Sequence, residues 1–366
     1  MTSTDPMWAG FRPDFERLRK VLTLDGVPDR VPFIELEIDP ELRAAVLGER
    51  TIVVDDPHDR TGREQALEQR IRFCCRIGFD YVNAWAHAGF DVRQVLESGD
   101  TAALSRGQRQ WVNESTGVIE TWDDFERYPW PTPESVDYFD VEYVAGRVPP
   151  GMNMIVGAAG GIMEWVMWLM GFVPFSLALH DQPDLVEAMF RRIGDLWESI
   201  YRNLSEIPCI GAMFFADDMG YSSGTFIRPD EMRHYVFPQQ KRLAEIAHRR
   251  GLPLCLHSCG NLQAVMDDLI DDVGIDAKHS YEDKYLSAAK AKQLYGSRIG
   301  ILGGIDMDVL ARGSEEDVRV YTRRVLEACM PDGGYALGTG NTAANYIPVR
   351  NYLAMLDEGA SVGCYS

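Results

Sequence analysis

The chain has 366 residues, and its 36 Lys and Arg against 56 Asp and Glu give a formal net charge of −20. A nucleic-acid binder neutralises phosphates with a Lys/Arg stripe, and a peripheral membrane protein uses a basic face, so this balance argues against both. With 46% hydrophobic and 25% charged residues, the composition is that of a globular protein rather than a disordered or fibrous one.

The first 30 residues read as a helical cap, with Phe15, Leu18, Val21 and Leu22 recurring on one side. No basic segment followed by an apolar one stands at the start, and the seven cysteines are scattered and odd in number. A reduced, cytoplasmic protein is therefore expected. Eight short runs rich in β-branched or aromatic residues follow, at 31–38, 81–86, 152–158, 210–216, 253–257, 275–280, 299–302 and 334–337. The segment 110–122 alternates around Ser115-Thr116-Gly117 and predicts a β-hairpin inserted between the second and third runs. The most apolar window, 161–178, is broken by Glu164, Gly171 and Pro174 and falls short of the roughly 20 residues a membrane span needs.

Helical patterns at 59–77, 183–204, 229–250, 286–295, 315–328 and 348–359 lie among the runs, several with Pro near the first turn and Gly at the end. After the fifth run, Leu262, Val265, Met266, Leu269, Ile270 and Val273 form one apolar stripe of helical period. Eight strands alternating with helices, with no Gly/Ser/Pro linker between them, predict an α/β fold of one domain over 1–366. This is a (β/α)8 TIM barrel with an N-terminal helical cap and an inserted β-hairpin.

Barrel active sites are built where the strands end, so the polar residues there are the candidates. Glu35 and Glu37 end the first run, His87 follows the second, and Glu164 follows the third. Asp217 and Asp218 end the fourth, His257 and Cys259 the fifth, and His279 and Glu282 the sixth. Asp306 follows the seventh, and Asn341 the eighth. Polar turns explain any one such end; a His, a Cys and several carboxylates converging point to chemistry.

His257 and Cys259 stand two apart on extended backbone, so both project to one side as two of the three protein ligands of a catalytic zinc. The third is sought among Glu35, Glu37, Asp217, Asp306 or a group on the eighth strand end. A nucleophilic Cys259 with His257 as base is the other functional reading. Asp217 and Asp218 are candidates for acid/base work, or one of them for a turn; Glu164 is a helix-dipole partner or a site carboxylate. Trp85, Trp165, Trp168, Tyr221 and Tyr346 are candidates to wall a substrate.

At these residues the sequence resembles the uroporphyrinogen decarboxylase superfamily, which includes zinc- and corrinoid-dependent methyltransferases related to methylcobalamin:coenzyme M methyltransferase. The resemblance is carried by Asp29-Arg30-Val31-Pro32, by Phe215-Ala216-Asp217-Asp218-Met219-Gly220 and by His257-Ser258-Cys259-Gly260-Asn261. It continues in Gly303-Gly304-Ile305-Asp306, Gly338-Thr339-Gly340-Asn341 and Asn351-Tyr352-Leu353-Ala354-Met355. It implies a single (β/α)8 barrel.

Two departures bear on function. The decarboxylase branch carries an arginine-rich segment after the first strand; here that place holds Glu35, Glu37 and Asp39, and carboxylates there would repel a polycarboxylate substrate. In the methyltransferase branch a cysteine after the last strand completes the zinc set, and Thr339 stands in its place. A carboxylate, Glu37 first among Glu35, Glu37 and Asp306, is expected as third ligand, or zinc is absent.

The resemblance implies a methyltransferase of the O-demethylase type, moving a methyl group between a small methoxylated or methylated compound and a corrinoid (cobalamin) carried by a partner protein. Asp217, Asp218, Asp306 and His279 are the expected catalytic groups. Glu35, Trp85, Glu164, Tyr221, Asn341 and Tyr346 are expected to bind substrate, with zinc on His257, Cys259 and Glu37. A decarboxylase of a smaller acid and a non-catalytic tetrapyrrole- or corrinoid-binding barrel are the alternatives; a homodimer is the expected assembly, with neither nucleic acid nor membrane as partner.

Overall fold

The computed structural model describes residues 6–54, 56–92, 95–102, 104–113 and 115–365. Among them, seven parallel strands form one curled sheet: β1 (Tyr81–Ala86), β4 (Asn153–Ala158), β5 (Ile210–Ala216), β8 (Leu254–His257), β9 (Ala277–His279), β10 (Gly300–Leu302) and β11 (Tyr335–Ala336), hydrogen-bonded in that order. The eighth barrel position belongs to the segment 31–38. It pairs with the β11 end through single parallel bridges, Phe33 with Leu337 and Ile38 with Ala343.

On its other edge, side chains of β1 replace the backbone ladder. The Tyr81 hydroxyl accepts from Glu35 N–H and donates to Glu35 C=O, and the Asn83 amide donates to Leu36 C=O. This insertion of side chains between two strands is why the first expected strand is an extended segment rather than a regular one. The α/β barrel expected from the alternation is thereby formed, and its helices cover the outside.

The helix Phe15–Thr23 closes the bottom of the barrel with Phe15, Leu18, Val21 and Leu22 all buried. Gly211 and Gly300, at the entries of β5 and β10, lie so close to the Phe15 ring and the Val21 carbonyl that a Cβ at either would collide with the cap. Residues 1–5 of the expected cap lie outside the described residues.

The inserted hairpin is found, but earlier than expected. It pairs β2 (Val95–Gly99) with β3 (Gln108–Val112), and the Asp100 carboxylate organises its turn by accepting from the N–H groups of Ala102 and Arg106. Gly117 is no hairpin turn: Val118 and Ile119 N–H both bond to the Leu169 carbonyl, and a Cβ on Gly117 would strike the Met170 backbone. Residue 114 of the expected hairpin lies outside the described residues. The minor pair β6 (Gly220–Tyr221) and β7 (Gly224–Thr225) projects beyond β5.

Two expected helices are not regular. The 229–250 pattern widens into a π-helical turn at Met232–Val236, just ahead of Phe237-Pro238, where the missing proline N–H leaves no i→i−4 bond to His234 C=O. The stripe from Leu262 breaks into a 3₁₀ turn, Gln263–Val265, and a π-helical turn, Asp268–Val273, yet Leu262, Val265, Met266, Leu269 and Val273 are buried as the period requires. Among the described residues no single helix is long and apolar enough to cross a membrane; Ile162–Met170 and Phe172–Asp181 are apolar together but meet at 95°.

Candidate metal centre at the barrel mouth

β8 ends at His257, which lies beside Ala216 of β5 and His279 of β9. The chain then turns at Gly260, whose φ of +89° and contact with the Gly220 backbone leave no room for a side chain. This turn brings Cys259 back over His257. His257 Nε2 is 3.5 Å from Cys259 Sγ and 3.5 Å from Asp218 Oδ1, and Asp218 Oδ1 also accepts from the Cys259 N–H at 2.7 Å. One donor atom each from Asp218, His257 and Cys259 thus falls within 4.8 Å of the others.

The remaining ring nitrogen of His257 faces His279, Nδ1 to Nδ1, at 2.8 Å. Burial, together with the positive charge of Lys278, holds the His257 pKa down at about 3, and burial and its neighbours His257 and Lys278 hold that of His279 well below the usual value. Both rings are therefore neutral at neutral pH, and one of the two Nδ1 atoms must carry the hydrogen that joins them. With the hydrogen on His257 Nδ1, a lone pair is left on His257 Nε2, where Asp218 and Cys259 lie. His279 then carries its hydrogen on Nε2, toward the Thr339 carbonyl; Gly303 keeps this space open, since a Cβ there would sit 2.9 Å from Nε2.

The Cys259 thiol is pushed up to about 12, first by burial and then by the Asp218 charge. A carboxylate and a thiol held together with a neutral imidazole form a donor set lacking only positive charge, which a divalent cation supplies while displacing the thiol proton. N, S and O donors of this kind suit zinc. The Asn341 amide, at 3.2 Å, and the Ser280 hydroxyl, at 3.6 Å, both point at the sulfur.

Glu37, the carboxylate first expected as third ligand, is engaged elsewhere. It pairs with Arg43 at 3.1 Å and Arg70 at 2.9 Å and accepts from the Trp85 indole at 3.1 Å. Burial raises its pKa, but the two guanidiniums outweigh that and hold it below the ordinary value. Asp218, rather than Glu37, lies beside His257 and Cys259, because the turn after β5 lies against the turn after β8. Thr339, which the resemblance places where a cysteine ligand is expected, bonds to Glu35 through both its amide and its hydroxyl.

The other expected site residues are divided between support and surface. Asp217 is buried and accepts from Met163 N–H, Glu164 N–H and the Gln240 amide, so it caps the helix Ile162–Met170. Glu164 completes that cap by accepting from Gly161 N–H. Asp306 caps the helix Met307–Arg312 through Asp308 and Val309 N–H. Tyr221 is half exposed and packs edge-on against Phe226 and Phe172; Tyr346 is exposed. Trp165 and Trp168 pack edge-on against each other, and Trp165 lies tilted against Phe90.

Glu37 is ion-paired and Asp217, Glu164 and Asp306 accept from helix N–H groups, which leaves Asp218 as the strand-end carboxylate that lies with His257 and Cys259. The sequence reading missed Lys278, a buried ammonium that donates to the carbonyls of Ser258, His279 and Ser280 at 2.9–3.1 Å. It ties together the ends of β8 and β9 and holds Ser280 at φ +78°. A lysine inside the apolar run 275–280 was the available signal.

Residues 116–361 match the family model for uroporphyrinogen decarboxylase (URO-D). No curated protein matches the sequence. Among solved structures, a methyltransferase from Methanosarcina mazei superposes with a TM-score of 0.65 at 17% identity, covering 94% of this chain and 97% of that one. A second structure, described as a vitamin-B12-independent methionine synthase from Listeria monocytogenes, has a TM-score of 0.46 at 12% identity, covering 90% of this chain and 96% of that one.

Proposed function

The chain belongs to the uroporphyrinogen decarboxylase family, and from that premise we propose that it is a metal-assisted methyltransferase of the O-demethylase type. In this reading a methyl group moves between a small methoxylated or methylated compound and a corrinoid carried by a separate protein. The observation that supports it is the convergence of Asp218, His257 and Cys259 at the strand ends, with donor atoms within 4.8 Å of each other. Asp218, His257 and Cys259 would hold a zinc ion, which would supply Lewis acidity to the heteroatom that bears the methyl group.

The chain's own residues do the rest. His279 holds the His257 ring so that a lone pair is offered at Nε2, and Asn341 and Ser280 support the Cys259 sulfur. Trp85, fixed by its bond to Glu37, walls the mouth for a small apolar-faced substrate. When the carbon–heteroatom bond breaks, its electron pair stays on the heteroatom. Asp217 and Asp306 are committed to helix caps, so in this reading the proton that neutralises the heteroatom comes from water at the mouth.

The test is metal analysis of the purified protein together with methyl transfer from methoxylated aromatic compounds to reduced cobalamin, followed by the cobalamin spectrum. Wild type is expected to hold about one zinc per chain and to transfer methyl groups. The double variant His257→Ala/Cys259→Ser is expected to lose both. Full metal content and full transfer in the double variant would sink the reading, and carbon dioxide release in the presence of chelator would favour a decarboxylase instead.

A further inference from the structure

The Thr339 hydroxyl makes two close contacts. Its Oγ1 is 2.5 Å from Glu35 Oε2 and 2.5 Å from the backbone carbonyl of Asn341. A hydroxyl carries a single hydrogen, and a carbonyl oxygen accepts only. The Thr339 hydrogen therefore serves Asn341, and the contact with Glu35 needs a hydrogen of its own. Were Glu35 ionised, two lone pairs would face each other at 2.5 Å.

The same carboxyl accepts the Thr339 N–H at its other oxygen, Oε1, 3.1 Å away. An acid donating from Oε2 and accepting at Oε1 satisfies all these contacts at once. We propose that Glu35 is a neutral carboxylic acid and a positioning residue of the metal centre, whose proton orders Thr339 and, through it, aims the Asn341 amide at the Cys259 sulfur.

The surroundings agree. Glu35 is only 2% exposed, and the groups facing it, Tyr81, Tyr335, Tyr352 and Cys74, are all neutral. The guanidiniums of Arg43 and Arg70, on the elements behind, are paired with Glu37. With no cation against it, burial pushes the Glu35 carboxyl up to about 8, against the hydrogen bonds from Thr339 and Tyr352.

From Thr339 the chain of bonds runs in one direction. Glu35 donates to Thr339 Oγ1, and Thr339 donates to the Asn341 carbonyl. The Asn341 side chain is oriented by the Thr342 N–H on Oδ1, at 2.7 Å, leaving Nδ2 to donate to Cys259 at 3.2 Å. The residue in the place of the family cysteine thus acts on the site sulfur through Asn341.

This deepens the reading of Cys259 as a ligand, but its test needs neither metal nor methyl acceptor. The metal-free protein is compared by infrared difference spectroscopy, wild type minus Glu35→Gln, and a carboxylic-acid carbonyl band is expected at about pH 7. In parallel, alkylation of Cys259 by iodoacetamide is followed at its own peptide by mass spectrometry across pH.

Glu35→Gln keeps a donor and an acceptor in place and is expected to alkylate within about twofold of wild type. Thr339→Val breaks the chain and is expected to slow Cys259 alkylation about tenfold at fixed pH, the loss of one hydrogen bond to a thiolate. Thr339→Ser is expected to restore it. No acid band, a Glu35→Gln rate as low as that of Thr339→Val, or an unchanged rate in Thr339→Val would each overturn the proposal. Failure of methyl transfer or zinc binding alone would move none of these readouts.

Discussion

The Nδ1 atoms of His257 and His279 lie 2.8 Å apart, joined by one hydrogen between two neutral rings. With that hydrogen on His257 Nδ1, the His279 ring accepts it and leaves the His257 Nε2 lone pair toward Asp218 and Cys259. Partners of this kind typically account for about 10- to 100-fold in metal affinity. His279→Ala is expected to weaken zinc binding by about that factor, measured by competition with a chromophoric chelator. An unchanged affinity would show that His257 needs no such partner.

Asp218 affects Cys259 in opposite ways with and without metal. Its charge raises the Cys259 pKa in the free protein, yet it is the third donor toward a cation. Asp218→Asn keeps an acceptor for the Cys259 N–H and removes the charge. The variant is expected to alkylate faster than wild type near about pH 8 and to retain zinc less well in dialysis against chelator. Both effects moving the same way would contradict this placement of Asp218.

Asp217 caps a helix from the barrel interior. Asp217→Ala leaves two helix N–H groups and the Gln240 amide without their acceptor, and a loss of about 3 kcal/mol is expected in chemical denaturation. Burial pushes the Asp217 pKa up to about 7, against the pull of its three hydrogen bonds. A raised folded-state value means the contribution is complete below the ordinary carboxylate range and is lost as pH rises through about 7. Asp217→Asn lacks this titration, so its stability relative to wild type is expected to improve from about pH 5 to about pH 8.

Gly303 has φ +69° and lies against the His279 ring and the Thr339 carbonyl. Gly303→Ala is expected to destabilise the fold by at least about 1–2 kcal/mol. It should also displace His279, so zinc affinity falls in protein that remains folded; thermal melts and chelator competition separate the two.

A ligand that binds only the folded state stabilises it, by about 2.7 kcal/mol at 100 times its dissociation constant. Zinc is expected to raise the melting temperature of wild type and not that of Cys259→Ser. An equal shift in the variant would place the metal elsewhere.

Most of the barrel was legible from local pattern. Short apolar runs at 81–86 and 210–216 became β1 and β5 at the expected bounds, because a strand buried on both faces leaves an uninterrupted apolar run. The hairpin was misplaced because alternation marks a strand but not its partner, and the turn was set by the Asp100 carboxylate. The 31–38 run was legible as a barrel position; that Tyr81 and Asn83 replace its ladder was not, since their bonds span some 46 residues.

His257 and Cys259 could be read as a pair because two residues on extended backbone share a side whatever the rest of the chain does. Which carboxylate joins them could not. Asp217 and Asp218 are neighbours in sequence, yet one enters a helix cap and the other meets the Cys259 amide. Glu37 met two arginines from separate helices, and Glu35 met Thr339 from the far end of the chain. Composition and periodicity determine where strands end and which polar groups gather there, since both act over a few residues. The protonation and partners of each carboxylate follow from burial and from charges brought in across long separations, which only the closed barrel decides.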